Sequence, residues 1–178
     1  MKSQLKAAIT PVTDFDVSLL EEETGRVFGC EKMPRKLTKE ELQLLKDFGY
    51  SEKTIELYVD EVNVGVLEKP DIVETYIGPC GDVIRLCLEV DKNSIIEDAK
   101  FCCLGCLGSA SSASAMTKLV KGKTIEEAKK LAEHDILKEL GGLPKPKLDC
   151  PKLAITTLQK AIAVCERKKA SCHIAESQ

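Results

Sequence analysis

The sequence predicts an α+β fold: a small antiparallel sheet of about three strands packed with helices, the chemistry-bearing loops at one end, behind an N-terminal helical extension. Three observations predict it. Residues 83–90 alternate, with Ile84, Leu86, Leu88 and Val90 on one face and Arg85 and Glu89 on the other, the pattern of a half-buried strand. Asp91-Lys92-Asn93-Ser94 supplies a turn, and residues 95–103 return with Ile95, Ala99 and Phe101 on one face, which makes an antiparallel hairpin. The last third of the chain then changes to helical periodicity with recognisable caps.

Each element has its own signal. Residues 1–49 read as an appendage. Residues 17–28 suit a short acidic helix ended by Gly29-Cys30-Glu31-Lys32-Met33-Pro34, and Thr38-Lys39-Glu40-Glu41 is a capping box that opens a helix through Leu42, Leu44 and Leu45, stopped by Gly49. A further helix over 51–61 places Ile55 and Tyr58 on one face, with Asn63-Val64-Gly65 after it. Residues 72–77 are the candidate third strand. Beyond the hairpin, small residues dominate 108–115, a helix is expected over 109–120, and Lys121-Gly122 breaks it. Thr124-Ile125-Glu126-Glu127 is a second capping box. Leu143-Pro144-Lys145-Pro146-Lys147 reads as a rigid, extended linker. The final helix starts near Pro151, which a first turn tolerates, with Leu153, Leu158, Ala161 and Ile162 in register, and the polar tail after Arg167 is expected to fray.

Composition narrows the function. Of 178 residues 43% are hydrophobic, enough for a core, but only 4% are aromatic, so that core rests on Leu, Ile, Val and Ala. Acidic residues outnumber basic ones, 29 to 26, and no clustered Lys and Arg mark a nucleic-acid partner. No apolar run approaches the ~20 residues of a membrane span, and the N-terminal residues carry no secretory h-region. The nine cysteines are therefore read as cytoplasmic thiols, which bind metal, carry redox chemistry or pack.

Three of them fall at junctions. Cys80 lies in Gly78-Pro79-Cys80-Gly81-Asp82 before the first strand of the hairpin, Cys106 follows its second strand and precedes a helix, and Cys150 precedes the last helix. A hairpin brings the start of one strand and the end of its partner to the same end of a sheet, so Cys80 and Cys106 can meet. Helix N-termini stabilise thiolates, the form that ligates iron and accepts sulfur. Gly78, Gly81, Gly105 and Gly108 would let backbone N–H groups approach a bound anion. Asp82 is either a turn cap or a hard oxygen ligand beside the thiols. Oxygen binds iron less tightly than sulfur, so a carboxylate would make such a site labile. Lys147 can face the site, whereas Lys121 and Lys123 read as a solvated face. Cys87 reads as packing; Cys30, Cys165 and Cys172 read as packing or exposed residues; His134 reads as solvated.

At these residues the chain resembles the IscU/NifU iron–sulfur cluster scaffold proteins. The matching stretches are Tyr50-Ser51-Glu52-Lys53, Asn63-Val64-Gly65, Cys80-Gly81-Asp82-Val83, Gly105-Cys106 followed by Gly108-Ser109-Ala110-Ser111-Ser112, Val120-Lys121-Gly122-Lys123, and Leu143-Pro144 leading to Cys150. The resemblance covers about residues 50–166. It implies a three-stranded antiparallel sheet, an assembly site of Cys80, Asp82, Cys106 and Cys150, and a cysteine desulfurase as sulfur donor. It implies a scaffold domain at 50–178 behind the extension at 1–49, recipient apo-proteins, and a homodimer as a plausible assembly. The cargo would be a 2Fe–2S rather than a 4Fe–4S cluster. The scaffold would be a binding protein with no turnover of its own. Two positions depart from the family. Asp149 stands where a His usually precedes the third cysteine, and we read it as a helix cap rather than a ligand. Lys145 interrupts the consecutive prolines of the family's chaperone-recognition segment. Two other readings remain open on the residues alone: a thiol–disulfide oxidoreductase using Cys103 and Cys106, which form a C-x-x-C, and a zinc-binding structural protein on Cys80, Cys106, Cys150 and one Asp.

Overall fold

The computed structural model describes residues 37–175, with side chains through residue 168. The expected helix over 17–28 and its terminator, with Cys30, lie outside the described residues, as do the side chains of Cys172 and His173. In chain order the elements are α1 (Lys39–Asp47), α2 (Glu52–Val59), β1 (Ile72–Ile77), β2 (Val83–Val90), β3 (Ile96–Leu104), α3 (Leu107–Val120), α4 (Ile125–Ala128), α5 (Glu133–Leu140), a 3₁₀ turn (Lys145–Lys147) and α6 (Cys150–Ala175).

The strands form one antiparallel sheet in the order β1-β2-β3. Ile84, Leu86 and Leu88 face inward opposite Cys103, Phe101 and Ala99. All but Cys103 are fully buried, each large side chain being worth about 1.5–3 kcal/mol of burial. The inward residue at the start of β3 is Ile96, not Ile95 as alternation suggests. A register shift between Glu89 and Val90 moves pairing from Glu89–Asp98 to Val90–Ile96. This bulge places one extra residue, Glu97, in β3 and inverts the parity upstream of it.

α6 crosses the inner face of β1 and β2, α3 runs along β3, and the two helices pack on each other. α3 is buried on nearly every side, which its Gly, Ser and Ala composition permits by allowing close approach. Its hydroxyls need partners, and most find backbone carbonyls: Ser111 Oγ donates to Thr54 O at 2.9 Å, and Ser114 Oγ to Val62 O at 2.9 Å. Those bonds tie α3 to α2 and to the loop after it; the inward residues of α2 are Thr54, Ile55 and Leu57. The expected pairing of Ile55 with Tyr58 is thus corrected, because the contact to α3 and α5 is made through Thr54. Thr54 Oγ1 reaches Leu140 O at 3.1 Å.

Three further expectations change. Residues 145–147 form a 3₁₀ turn rather than an extended linker, closed by Lys147 N to Pro144 O at 2.8 Å, and Pro146 is tolerated because a first-turn N–H has no partner to lose. α6 continues as backbone helix to Ala175, past the expected fraying point. It is tethered by Glu166 to Lys129 at 2.6 Å and by Lys168 Nζ to Asp71 O at 2.6 Å. Lys121 is not merely solvated: it bonds Asp98 at 2.6 Å and Asn63 Oδ1 at 2.7 Å. Asn63 holds a left-handed backbone (φ 63°) and donates to Thr117 Oγ1 at 3.1 Å. The Asn-Val-Gly and Val-Lys-Gly stretches are therefore two halves of one structural clasp. Both capping boxes form, at Thr38 and Thr124. His134 is solvated, its side chain 79% exposed.

Candidate functional site

At one end of the sheet three chain segments converge. β1 and β2 are joined by residues 78–82, closed by Gly78 N to Asp82 O at 2.8 Å and Gly81 N to Gly78 O at 2.9 Å; Gly81 takes φ +85° there. β3 ends beside this turn, and Cys106 is the N-cap of α3, two residues after Leu104. The helix starts at Leu107 rather than at 109, which brings the thiol directly to the helix terminus. Cys150 is the first residue of α6.

Ser109 joins three of the four expected site residues. Its hydroxyl is fully buried and donates to Asp82 Oδ2. It lies 3.6 Å from Cys106 Sγ and 3.5 Å from Cys150 Sγ. The two sulfurs are 3.7 Å apart, and Cys106 N donates to Asp82 Oδ2 at 3.3 Å. Ser109 lies within a family stretch, but its linking position depends on residues distant in sequence. Tyr50 lies in another such stretch. It is buried, and its hydroxyl is pushed up by burial and by the negative charge of Cys106.

Cys80 stands apart, exposed on the turn. Among the described residues no set of three or more His, Cys, Asp or Glu side chains is drawn closely enough together to hold a metal ion. The arrangement is a ring around Ser109 with a fourth group outside it. Asp149 occupies the position before α6 and its carbonyl accepts from Leu153 N at 3.2 Å. Its carboxylate is exposed and makes no hydrogen bond among the described residues, so the cap is the backbone's and not the side chain's.

Two glycines are fixed by the site rather than by anion access. A Cβ on Gly105 would fall 2.7 Å from Asp82 Cγ, and one on Gly108 would fall 3.0 Å from Cys150 Sγ. Gly78 instead makes room for Leu153.

The sulfur pair shares one proton. Cys106 is pushed down to about 5, first by its hydrogen bond with Cys150 and then by hydrogen bonds with Ser109, against burial. Cys150 is pushed up for the complementary reason, with burial adding to it. Lys147 completes the balance: the charge of Cys106 holds its ammonium above its ordinary value. A depressed acid stabilises the fold above its unfolded value and loses that contribution as pH falls through its folded value. For Cys106 the loss comes near pH 5. Cys150, with a raised value, contributes at low pH and loses it on the alkaline side. Alkylation of Cys106 in the metal-free protein, followed by peptide mass spectrometry, should therefore be pH-independent from about pH 6 to 8 and fall below about 5. A rate climbing through pH 8 to 9, as for a free thiol, would contradict the shared proton.

Residues 49–172 match the family model of the NifU-like N terminal domain. The chain is 41% identical over 120 residues to the protein named iron-sulfur cluster assembly scaffold protein IscU 1 of Archaeoglobus fulgidus, covering 67% of this chain and 78% of that one. It is 43% identical over 124 residues to the iron-sulfur cluster assembly scaffold protein IscU of Haemophilus influenzae, covering 67% and 98%. Among solved structures it is similar to one described as a scaffold protein for iron-sulfur cluster assembly in the SUF system of Fervidobacterium islandicum AW-1. The TM-score is 0.54 at 25% identity, covering 64% of this chain and 96% of that one.

Proposed function

This chain belongs to the family of NifU-like N-terminal domains, and from that premise we infer that it is an iron–sulfur cluster assembly scaffold, on which iron and sulfide are joined and from which the cluster is handed on. The observation that carries the reading is the Asp82–Ser109–Cys106–Cys150 ring at the N-termini of two helices. One member is a thiolate near neutral pH and another is a carboxylate.

The residues divide the work. Cys80, Cys106 and Cys150 supply sulfur ligands and Asp82 an oxygen ligand. Four ligands are the number a 2Fe–2S cluster takes from protein, and we assign that cluster type. Zinc accepts the same donor set and competes for it. The donor we propose is a cysteine desulfurase carrying a persulfide. The Cys106 thiolate attacks the outer sulfur of that persulfide, forming a new S–S bond, and the donor cysteine leaves as thiolate. Lys147 holds the negative charge before and after. Ser109 keeps Cys106 and Cys150 in reach of Asp82 while the site is empty. The scaffold carries its cargo to recipient apo-proteins and turns over no substrate of its own. The cytoplasm suits it, since its exposed Cys80 must stay reduced.

The test is anaerobic reconstitution of the full chain with a desulfurase, cysteine and ferrous iron, followed by transfer to an apo-ferredoxin. Charge-transfer bands with acid-labile sulfide, and ferredoxin activation, are expected. Asp82→Ala should keep the sulfur ligands but slow transfer severalfold, because the labile oxygen position is lost. Colourless protein holding only zinc, under conditions that load a known scaffold, would overturn the reading. An unchanged transfer rate would return Asp82 to a turn residue.

A further inference from the structure

A fifth group with ligand chemistry sits at this end of the sheet. Cys103 is on the inner face of β3, opposite Ile84. Asp82 and Gly105 are the next positions along that same face. Asp82 is in contact with the Gly105 backbone, as the 2.7 Å approach of a Cβ there shows, so Cys103 lies diagonally beside the carboxylate. It is a free thiol, partly buried against the core. Cys103 therefore shares its strand face with the carboxylate that belongs to the ring around Ser109.

We propose that Cys103 is a fourth sulfur ligand of this site, taking the coordination position of Asp82, so that the protein holds its cargo in two forms, three thiolates with a carboxylate or four thiolates. The inference rests on the scaffold reading above. In the exchange the Asp82 oxygen–iron bond breaks and a Cys103 sulfur–iron bond forms. The Cys103 proton passes to the released carboxylate or to water, and no electron moves. Thiolate binds iron more tightly than carboxylate, so the four-sulfur form retains the cluster and the carboxylate form releases it. A C-x-x-C acting as a redox pair would need only Cys103 and Cys106 and would be indifferent to Asp82. Cys103 instead shares the inner face of the sheet end with Asp82.

The experiment compares wild type, Asp82→Ala, Cys103→Ala and the double variant, all full-length and reconstituted without oxygen. Iron and sulfide per chain are measured, with the electron paramagnetic resonance of the reduced cluster. Cobalt(II) alone is a second probe, because its thiolate charge-transfer intensity scales with the number of bound sulfurs. Asp82→Ala is expected to retain cluster, with a four-thiolate cobalt spectrum. The double variant should load on the order of tenfold less or worse. Cys103→Ala alone should load normally and lose iron to a chelator severalfold faster. Asp82→Ala combined with Cys103→Ser must repeat the double variant without opening a cavity, and with Cys87→Ala it must load like Asp82→Ala. Equal loading of Asp82→Ala and the double variant would overturn the inference, as would loss of loading in Asp82→Ala alone. Either result, with wild type loading normally, leaves the scaffold reading standing. Wild type that takes up no cluster overturns both.

Discussion

Serine in place of Cys106 or Cys150, one at a time, is expected to lower cluster reconstitution by on the order of tenfold or more, while Cys87→Ser leaves it unchanged. The two sulfurs stand 3.7 Å apart at the N-termini of α3 and α6, and a hydroxyl neither carries the thiolate charge nor binds iron comparably. Cys80→Ser should act in the same direction by a smaller factor, since Cys80 is exposed and stands outside the ring. Cys87 pairs with Val73 and Lys100 on the opposite face of the sheet and is 2% exposed. Its replacement costs stability of about 1–3 kcal/mol if the new hydroxyl finds no partner, but it touches no ligand. Iron and acid-labile sulfide per chain decide the matter. Normal loading by both Cys106→Ser and Cys150→Ser would remove the site from this end of the sheet.

Gly108→Ala should block the site while sparing the fold. Its Cβ would lie 3.0 Å from Cys150 Sγ and 3.6 Å from Cys106 Sγ. Alanine improves the first turn of α3 by up to about 1 kcal/mol in propensity, so the global effect is small. The methyl group, however, wedges against the sulfur pair that must turn toward iron. Loading should fall on the order of tenfold with a thermal midpoint within a few degrees of wild type. A large drop in midpoint would mean that the glycine serves helix packing. Normal loading with a normal midpoint would mean that the sulfurs move away from Gly108 when metal binds.

The sheet was legible because its signal is local. Alternation in β2 and a turn at 91–94 are sufficient to specify a hairpin, and the hairpin alone brings Cys80 and Cys106 to one end. The parity of β3 was not legible, because the bulge at Glu89/Val90 depends on how two strands pair and leaves no mark in either one. α3 was harder to read than its burial warrants. Ser111, Ser114 and Thr117 look like a polar face, yet their hydroxyls are satisfied by carbonyls of other segments or of the helix itself. The same limit hid Ser109 and Tyr50 as site residues. A buried hydroxyl acquires meaning only from its neighbours, and those neighbours are 27 and 41 residues away for Ser109.

What the sequence by itself determined is the set of cysteines that sit at junctions, the caps at Thr38 and Thr124, and the family stretches that run through them. These are properties of residue type and spacing along one chain. The tertiary structure decided which junction thiol carries the charge. Cys106 and Cys150 both open helices, and sequence gives them equal claim to a thiolate. Packing of α3 against α6 places the sulfurs within 3.7 Å. Hydrogen bonds with Cys150 and Ser109 then lower Cys106, while the same pairing and burial raise Cys150. Packing likewise set Cys103 beside Asp82, since a residue's place on the inner face of β3 follows from strand pairing and not from its own identity.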